Sequence, residues 1–404
     1  MSFDEEMNAL FQKQREGKRL FKDYINPKNQ YGDKCMFQDC NETCIQSHSI
    51  SRRFLELISE ENNVICPIID PCNIGRNIQE LENSTKPNIK FEKLNILTAS
   101  KFRGFCKEHD NKLFEHLDNY GIENQRDILL QLYRTTCKYI FTNEKVIQSE
   151  METYGYQYWA NSEFEEKISL SLSKIKNSLA ALLLNCPNLD TTFNIDLNST
   201  LIIDPSSYSL NSEIKILYKK LPNNFNMALE KDLIIPIDNQ ISHCVVVVFP
   251  EKKHSNLMVI SSPQVINMIF TQKNIGSSIA ILNMIESILM QDSYFYISPS
   301  IYNNWSNEKK QIILEDFFFC TERKFLQEYD ISIFDSVREA IIENEAIDVK
   351  KHELLKIKML PSRKSFSERF SVFCNMTLKD RQDKIRFTGN EQGNNYPIGP
   401  LIIL

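Results

Sequence analysis

Apolar positions along the chain change their spacing twice. Over Glu123–Gln148 they include Ile128, Leu132, Tyr139 and Val146, and over Ser162–Leu184 they fall at Ile168, Leu172, Ile175, Leu179 and Leu182. Steps of three and four place such side chains on one helix face, so two long helices are predicted, the pair forming a helical connection. From Thr192 the period shortens. Phe193–Ile203, Glu213–Tyr218, Leu233–Ile237, Ser242–Phe249 and Asn256–Ser261 are short and rich in β-branched residues. Turn residues separate them, at Pro222-Asn223-Asn224 and at Pro250–Lys253 among others, which predicts an antiparallel sheet. Helical spacing returns over Gln264–Met290, Asn307–Cys320 and Ser332–Asn344.

The first third is more broken. Residues 4–23 read as a helix ended by Pro27, and Ser51–Glu60 as a short one. Val64–Ile69 and Ile89–Leu97 are strand candidates, and Asp70–Asn88, with two prolines, reads as an irregular loop. The expected fold class is α+β: a zinc-binding N-terminal part over 1–150 with flanking helices, and an α+β regulatory or sensor domain over 151–404. The boundary is placed between Gln148 and Ser162, around Tyr154, Tyr156 and Tyr158.

Composition narrows the function classes. The 404 residues are 42% hydrophobic and 25% charged, ordinary globular values. With 47 basic and 53 acidic residues the net charge is −6, so any nucleic-acid contact has to be a local patch. The basic residues of Gln12–Lys28 read as a solvated helix face. The longest apolar runs, Leu179–Leu184 and Cys244–Phe249, fall far short of the roughly 18 residues a spanning helix needs. MSFDEEMNAL carries no apolar leader core, so a soluble, cytoplasmic protein without membrane contact is expected.

Cysteine carries the candidate chemistry. Six of the 11 Cys, from Cys35 to Cys106, crowd into the first third. In a reducing compartment clustered Cys point to metal rather than disulfides. Cys35-x4-Cys40 and Cys106-x2-His109 are two short pairs, 65 residues apart. Each pair can place two side chains at one point through a tight turn, and zinc takes four such N/S ligands. Cys40, Cys44 and His48 form a competing set, aligned only if that stretch were helical. Buried free thiols are the bland alternative.

Between the pairs stands Ser47-His48-Ser49-Ile50, and after the second pair Asp110-Asn111-Lys112. Over residues 33–118 this order resembles the zinc-bearing, treble-clef HNH endonucleases. There a first knuckle leads to a strand with an Asp-His-Ile core, and a second knuckle enters a helix. The resemblance implies that Cys35, Cys40, Cys106 and His109 hold a structural zinc. It implies that His48 is the general base, and that Mg²⁺ or Mn²⁺ stabilises charge on the scissile phosphate. Two departures stand out. Ser47 occupies the place of the family's acid, and Asp110 that of a metal-binding His; a carboxylate suits Mg²⁺ or Mn²⁺. Asn111 orients His48, binds metal or caps a helix.

Other candidates are weaker. No G-x-S-x-G, Walker A, G-x-G-x-x-G or H-E-x-x-H occurs. His243 with Asp238 is a possible pair, read first as a structural residue at a strand start. Gly276-Ser277-Ser278 reads as a packing site and Tyr294–Trp305 as core. The expected function is metal-dependent cleavage of nucleic acid, DNA ahead of RNA, with a protein partner or ligand acting through the second domain. That architecture suits a regulated microbial defence effector. The alternatives are a non-catalytic, zinc-stabilised interaction or sensor protein, and an enzyme seated in the second domain with zinc as scaffold.

Overall fold

A computed structural model describes residues 32–69, 89–154 and 163–375, apart from 187, 192–194, 209–212, 238–239, 292, 324–326 and 344, with eight further positions between 12 and 24. Most of the helix expected over 4–23, most of the basic stretch 12–28, the loop 70–88 and most of the expected domain boundary lie outside the described residues.

The first strand, β1 (Gln46–His48), is followed by α1 (Arg52–Glu56), β2 (Asn63–Ile69), β3 (Ile89–Asn95) and β4 (Lys101–Arg103). Five helices follow: α2 (Lys107–Leu113), α3 (Glu115–Tyr120), α4 (Gln125–Tyr154) and α5 (Glu163–Asn185) precede the main strands, and α6 (Pro263–Ile269) comes after them. Those strands are β5 (Thr200–Ile203), β6 (Lys215–Leu221), β7 (Met227–Ile237), β8 (Gln240–Pro250) and β9 (Ser255–Ser261). Beyond α6 come α7 (Gln272–Ile275), α8 (Ser278–Leu289), β10 (Tyr294–Ile297), α9 (Pro299–Asn304), α10 (Asn307–Phe318), α11 (Asp335–Ile342), α12 (Ile347–Lys358) and α13 (Phe366–Asn375).

Eight strands form one sheet in the order β3-β2-β10-β7-β8-β9-β6-β5, and every neighbouring pair is antiparallel. Both faces are covered. Val245, Val247 and Phe249 of β8 face the core beneath α4 and α5, while Cys244, Val246 and Val248 face the core beneath α6, α8 and α10. Burial on both sides is why Cys244–Phe249 is apolar at every position rather than at alternate ones. No described helix is long and apolar enough to cross a membrane.

The fold is mixed helix and sheet with an antiparallel sheet, and its organisation differs from the expected division in one respect. β2 and β3 belong to the first third of the chain, yet they extend the same sheet as β5–β9, joined to it through β10. The core under α4 and α5 runs from Cys35 to Tyr296 without a break. A division at residue 150 therefore cuts through one shared sheet and core.

The helix expected over Gln264–Met290 is three helices. Ser262 caps α6 by accepting from Val265 N–H, and Ser277 caps α8 by accepting from Ala280 N–H. A side-chain hydroxyl that satisfies the first free N–H groups starts a helix rather than continuing one. Gly276-Ser277-Ser278 is thus a helix start, and of Tyr294–Trp305 the core takes Phe295, Tyr296, Ile297 and Trp305, while Tyr294 and the polar residues of α9 are exposed; Trp305 Nε1 donates to Ile333 O at 3.1 Å.

Candidate metal centre

Residues 33–44 fold back on themselves. Lys34 bridges Thr43, Cys35 N–H donates to Glu42 O at 2.9 Å, and Cys44 N–H donates to Asp33 O at 2.9 Å. At the tip Cys40 N–H donates to Phe37 O at 3.2 Å, and Asp39 takes the left-handed φ of 60° that such a turn requires. Asp33 is clamped by Arg103 at 2.5 Å and Lys145 at 2.6 Å. Burial pushes its carboxyl up, but the two cations outweigh burial and hold it below the usual range.

Met36 N–H donates to Gly104 O and Ile45 N–H to Phe105 O, each at 2.8 Å, so the hairpin lies along the segment after β4. β1 then pairs with β4, Ser47 opposite Phe102. β4 delivers Cys106 to the N-cap of α2, with His109 in its first turn. Four ligand atoms meet here. Cys35 Sγ lies 3.5 Å and Cys106 Sγ 3.2 Å from His109 Nδ1, and Cys40 Sγ lies 3.9 Å from Cys106 Sγ. All four are within 4.8 Å of one another. Ligands around one tetrahedral zinc, with bonds of about 2.3 Å to sulfur and about 2.0 Å to nitrogen, stand roughly 3.5–3.8 Å apart. The cluster is therefore close enough to hold one metal ion such as zinc.

The donor chemistry fits as well. Burial opposes ionisation of Cys106, but backbone N–H groups of Glu108 and His109 and the neighbouring thiols outweigh it and hold its pKa below the ordinary value. A thiolate is the form that binds metal. Phe37 stacks on His109, ring centroids 4.2 Å apart, and fixes the imidazole. Cys44 stays outside the cluster; it is half-buried, and burial pushes its thiol up to about 12, so it stays protonated.

The expected catalytic residues lie on the same elements. His48 ends β1, opposite Lys101 of β4. Its ring is mostly buried, and its Nε2 is enclosed without a hydrogen-bond partner. Burial, then the Lys101 and Arg134 cations, push its pKa down to about 4, so the ring is neutral at pH 7. Asp110 on α2 turns its carboxyl toward Ser47 of β1, and burial raises its pKa. Asn111 is exposed on α2.

Sequence reasoning overlooked a buried polar stripe on α4. Gln131 donates to Ser49 O at 2.7 Å, and Arg134 donates to His48 O at 3.1 Å and to Asp118 at 2.8 Å. Thr135 and Lys138 donate to Glu230 of β7, which also accepts from Ser49 Oγ at 2.8 Å. All four residues, and Glu230, are buried. The signal was present: polar residues at 131, 134, 135 and 138 share one helix face. Together they fasten the end of β1 to the central sheet.

Other candidate groups are accounted for. Asp238 lies outside the described residues; His243 pairs instead with Asp232 at 2.7 Å, inside the sheet. Glu328, His352 and Glu353 also come within ligand distance of one another, but Lys356 pairs with both carboxylates and Arg338 with Glu353. A cleft of about 450 Å³ runs along α2, lined by Phe37, His109, Lys112, His116 and Asp127 among others. Asp127 there accepts from His116 and from the N–H groups of Glu123 and Asn124, the work of a helix-start residue.

No protein family, curated protein or solved structure matches the chain.

Proposed function

We propose that this chain is a metal-dependent endonuclease of HNH-like type, with zinc in the Cys35, Cys40, Cys106 and His109 cluster as scaffold. The observation that supports the reading is the chain order: a Cys hairpin, β1 ending at His48, its antiparallel partner β4, and α2 entered through the second ligand pair. That is the order of a treble clef, here with residues 49–100 inserted between its two strands. The insertion is tolerated because it carries β2 and β3 into the large sheet and returns beside its starting point.

In this reading His48 accepts the proton of the attacking water. Its neutral ring can do so, and an anionic phosphodiester alongside would raise its low pKa toward the working range. Arg134 holds the His48 carbonyl, and so the position of the ring's backbone, from a buried and fixed side chain. Asp110 offers a carboxylate from α2. Mg²⁺ or Mn²⁺, when bound, would neutralise charge on the scissile phosphate and the leaving oxygen. The remaining sheet and helices would carry the ligand or protein partner that regulates cleavage.

The test is incubation with plasmid DNA and with RNA in Mg²⁺ and Mn²⁺, comparing the native chain with His48→Ala. Cleavage should fall by about 10²–10⁴-fold in the variant, with zinc content and melting unchanged. Unchanged cleavage by a folded, zinc-replete variant would sink the assignment. A second reading, a non-catalytic zinc-stabilised interaction or sensor protein, is favoured by Ser47 standing where the acid belongs and by the enclosed Nε2. It predicts no metal-dependent cleavage from the native chain.

A further inference from the structure

We propose that the outward face of α12 docks a second copy of this chain, the two α12 helices lying antiparallel. The inference is independent of the nuclease reading.

α12 turns its apolar side to solvent. Glu353 and Lys356 are 3% and 6% exposed, whereas Ile347, Leu355 and, directly after the helix, Met359 are 72%, 53% and 60% exposed. At a rotation of about 100° per residue these three fall within an arc of roughly 120°, and the exposed Asp348, Lys351 and Lys358 share that arc. Glu353 projects from the opposite side, where Arg338 and Lys356 pair with it. Turning the helix over would break those buried pairs, so the apolar arc is held outward. A single exposed Leu is ordinary, but apolar side chains gathered on one helix face mark a contact surface. Among the described residues no ion pair engages Asp348, Lys351 or Lys358.

The pattern of the face selects the partner. Ile347 with Met359, Asp348 with Lys358, and Lys351 with Leu355 are three pairs that share one midpoint, residue 353. A two-fold axis level with that residue brings all three together in one register. Ile347 then meets Met359 of the second copy, and Asp348 meets Lys358. The aliphatic stem of Lys351 lies along Leu355, with its ammonium reaching water. The two helix dipoles oppose each other in this arrangement. A parallel copy would instead set Asp348 against Asp348 and Lys358 against Lys358, like charges that repel. A partner of one strong sign would leave either Asp348 or Lys358 beside its own charge. The face therefore complements itself better than an acidic or a basic surface. A single helix of 12 residues offers less than the roughly 800 Å² per partner of a standard interface, so the dimer is weak and exchanges with monomer at micromolar concentration.

The experiment is sedimentation velocity of the full chain, from low to high micromolar concentration. The native chain should pass from monomer to dimer. Leu355→Glu, at an exposed position, should weaken the dimer by about tenfold or more and leave the melting temperature of the dilute monomer unchanged. Asp348→Lys and Lys358→Glu should each weaken it by about tenfold, because both ion pairs of the dimer become repulsive. Mixing these two variants should restore the native affinity, since a mixed dimer rebuilds both pairs. Should Leu355→Glu fail to fold, the mixing experiment still decides. Four results overturn the proposal: a chain that stays monomeric throughout, a dimer indifferent to Leu355→Glu, charge variants that each dimerise like the native chain, or a mixture that associates no better than its components. Coverage of the face by another segment of the same chain would give the first of these, and docking through a different surface the second.

Discussion

With zinc in the Cys35, Cys40, Cys106 and His109 cluster, as proposed, its removal should unfold residues 33–44 and little else. Ordering these twelve residues costs on the order of 12–24 kcal/mol in backbone entropy. The structure shows what opposes that cost. Cys35, Met36, Cys40 and Cys44 each donate one backbone hydrogen bond, Asp33 pairs with Arg103 and Lys145, and Phe37 stacks on His109. These contribute about 5–7 kcal/mol together. A structural zinc contributes about 10–16 kcal/mol in comparable sites, and with it the two sides balance. Without it the hairpin is short by about 10 kcal/mol, and its amides should exchange like those of an unfolded chain. β1 and β4 should keep their protection, because Gln131, Arg134 and Glu230 hold the segment after Ser47 independently of the metal. The assay is hydrogen exchange read by mass spectrometry, before and after a strong chelator, with Cys106→Ala as the genetic equivalent. Two results would refute the reasoning: protection of 33–44 that survives proven loss of metal, or loss that spreads to β6–β9.

Two further outcomes follow from buried charge. Lys138→Met leaves Glu230 wholly buried without its cation and should lower the unfolding free energy by about 3–5 kcal/mol; adding Glu230→Gln should recover most of that. Urea unfolding of the single and double variants measures it, and a single variant as stable as the native chain would contradict the assignment. His48 contributes a pH dependence. Its folded pKa of about 4 lies below the unfolded value of 6.5, so the unfolded chain takes up the proton first as pH falls. Stability from this residue is complete above about pH 6.5 and is lost progressively down to about pH 4, by roughly 3 kcal/mol. His48→Gln should flatten the stability profile across that window; a profile of unaltered slope would show that the ring is not held neutral.

The sequence alone determined what depends on near neighbours. The two ligand pairs were legible because each is a short turn or the first turn of a helix, and their meeting needs only that the chain return. α4 and α5 were legible because each buries an apolar stripe at helical period, and β6–β9 because short β-branched runs alternate with turn residues. What lay beyond the sequence depends on distant partners. β2 and β3 read as strands, but their place beside β10 is set by pairing across more than 200 residues, for which no local signal exists. α12 escaped notice because it inverts the usual pattern: it buries Glu353 and Lys356 in ion pairs with Arg338 and Glu328, and leaves Ile347 and Leu355 exposed. The polar stripe of α4 was read past for the same reason, since buried charge is stable only against a partner that the local sequence does not contain. His48 shows the division in one residue. Its type and position named it as a candidate base, and tertiary packing decided that the ring is neutral, enclosed and held through its carbonyl by Arg134.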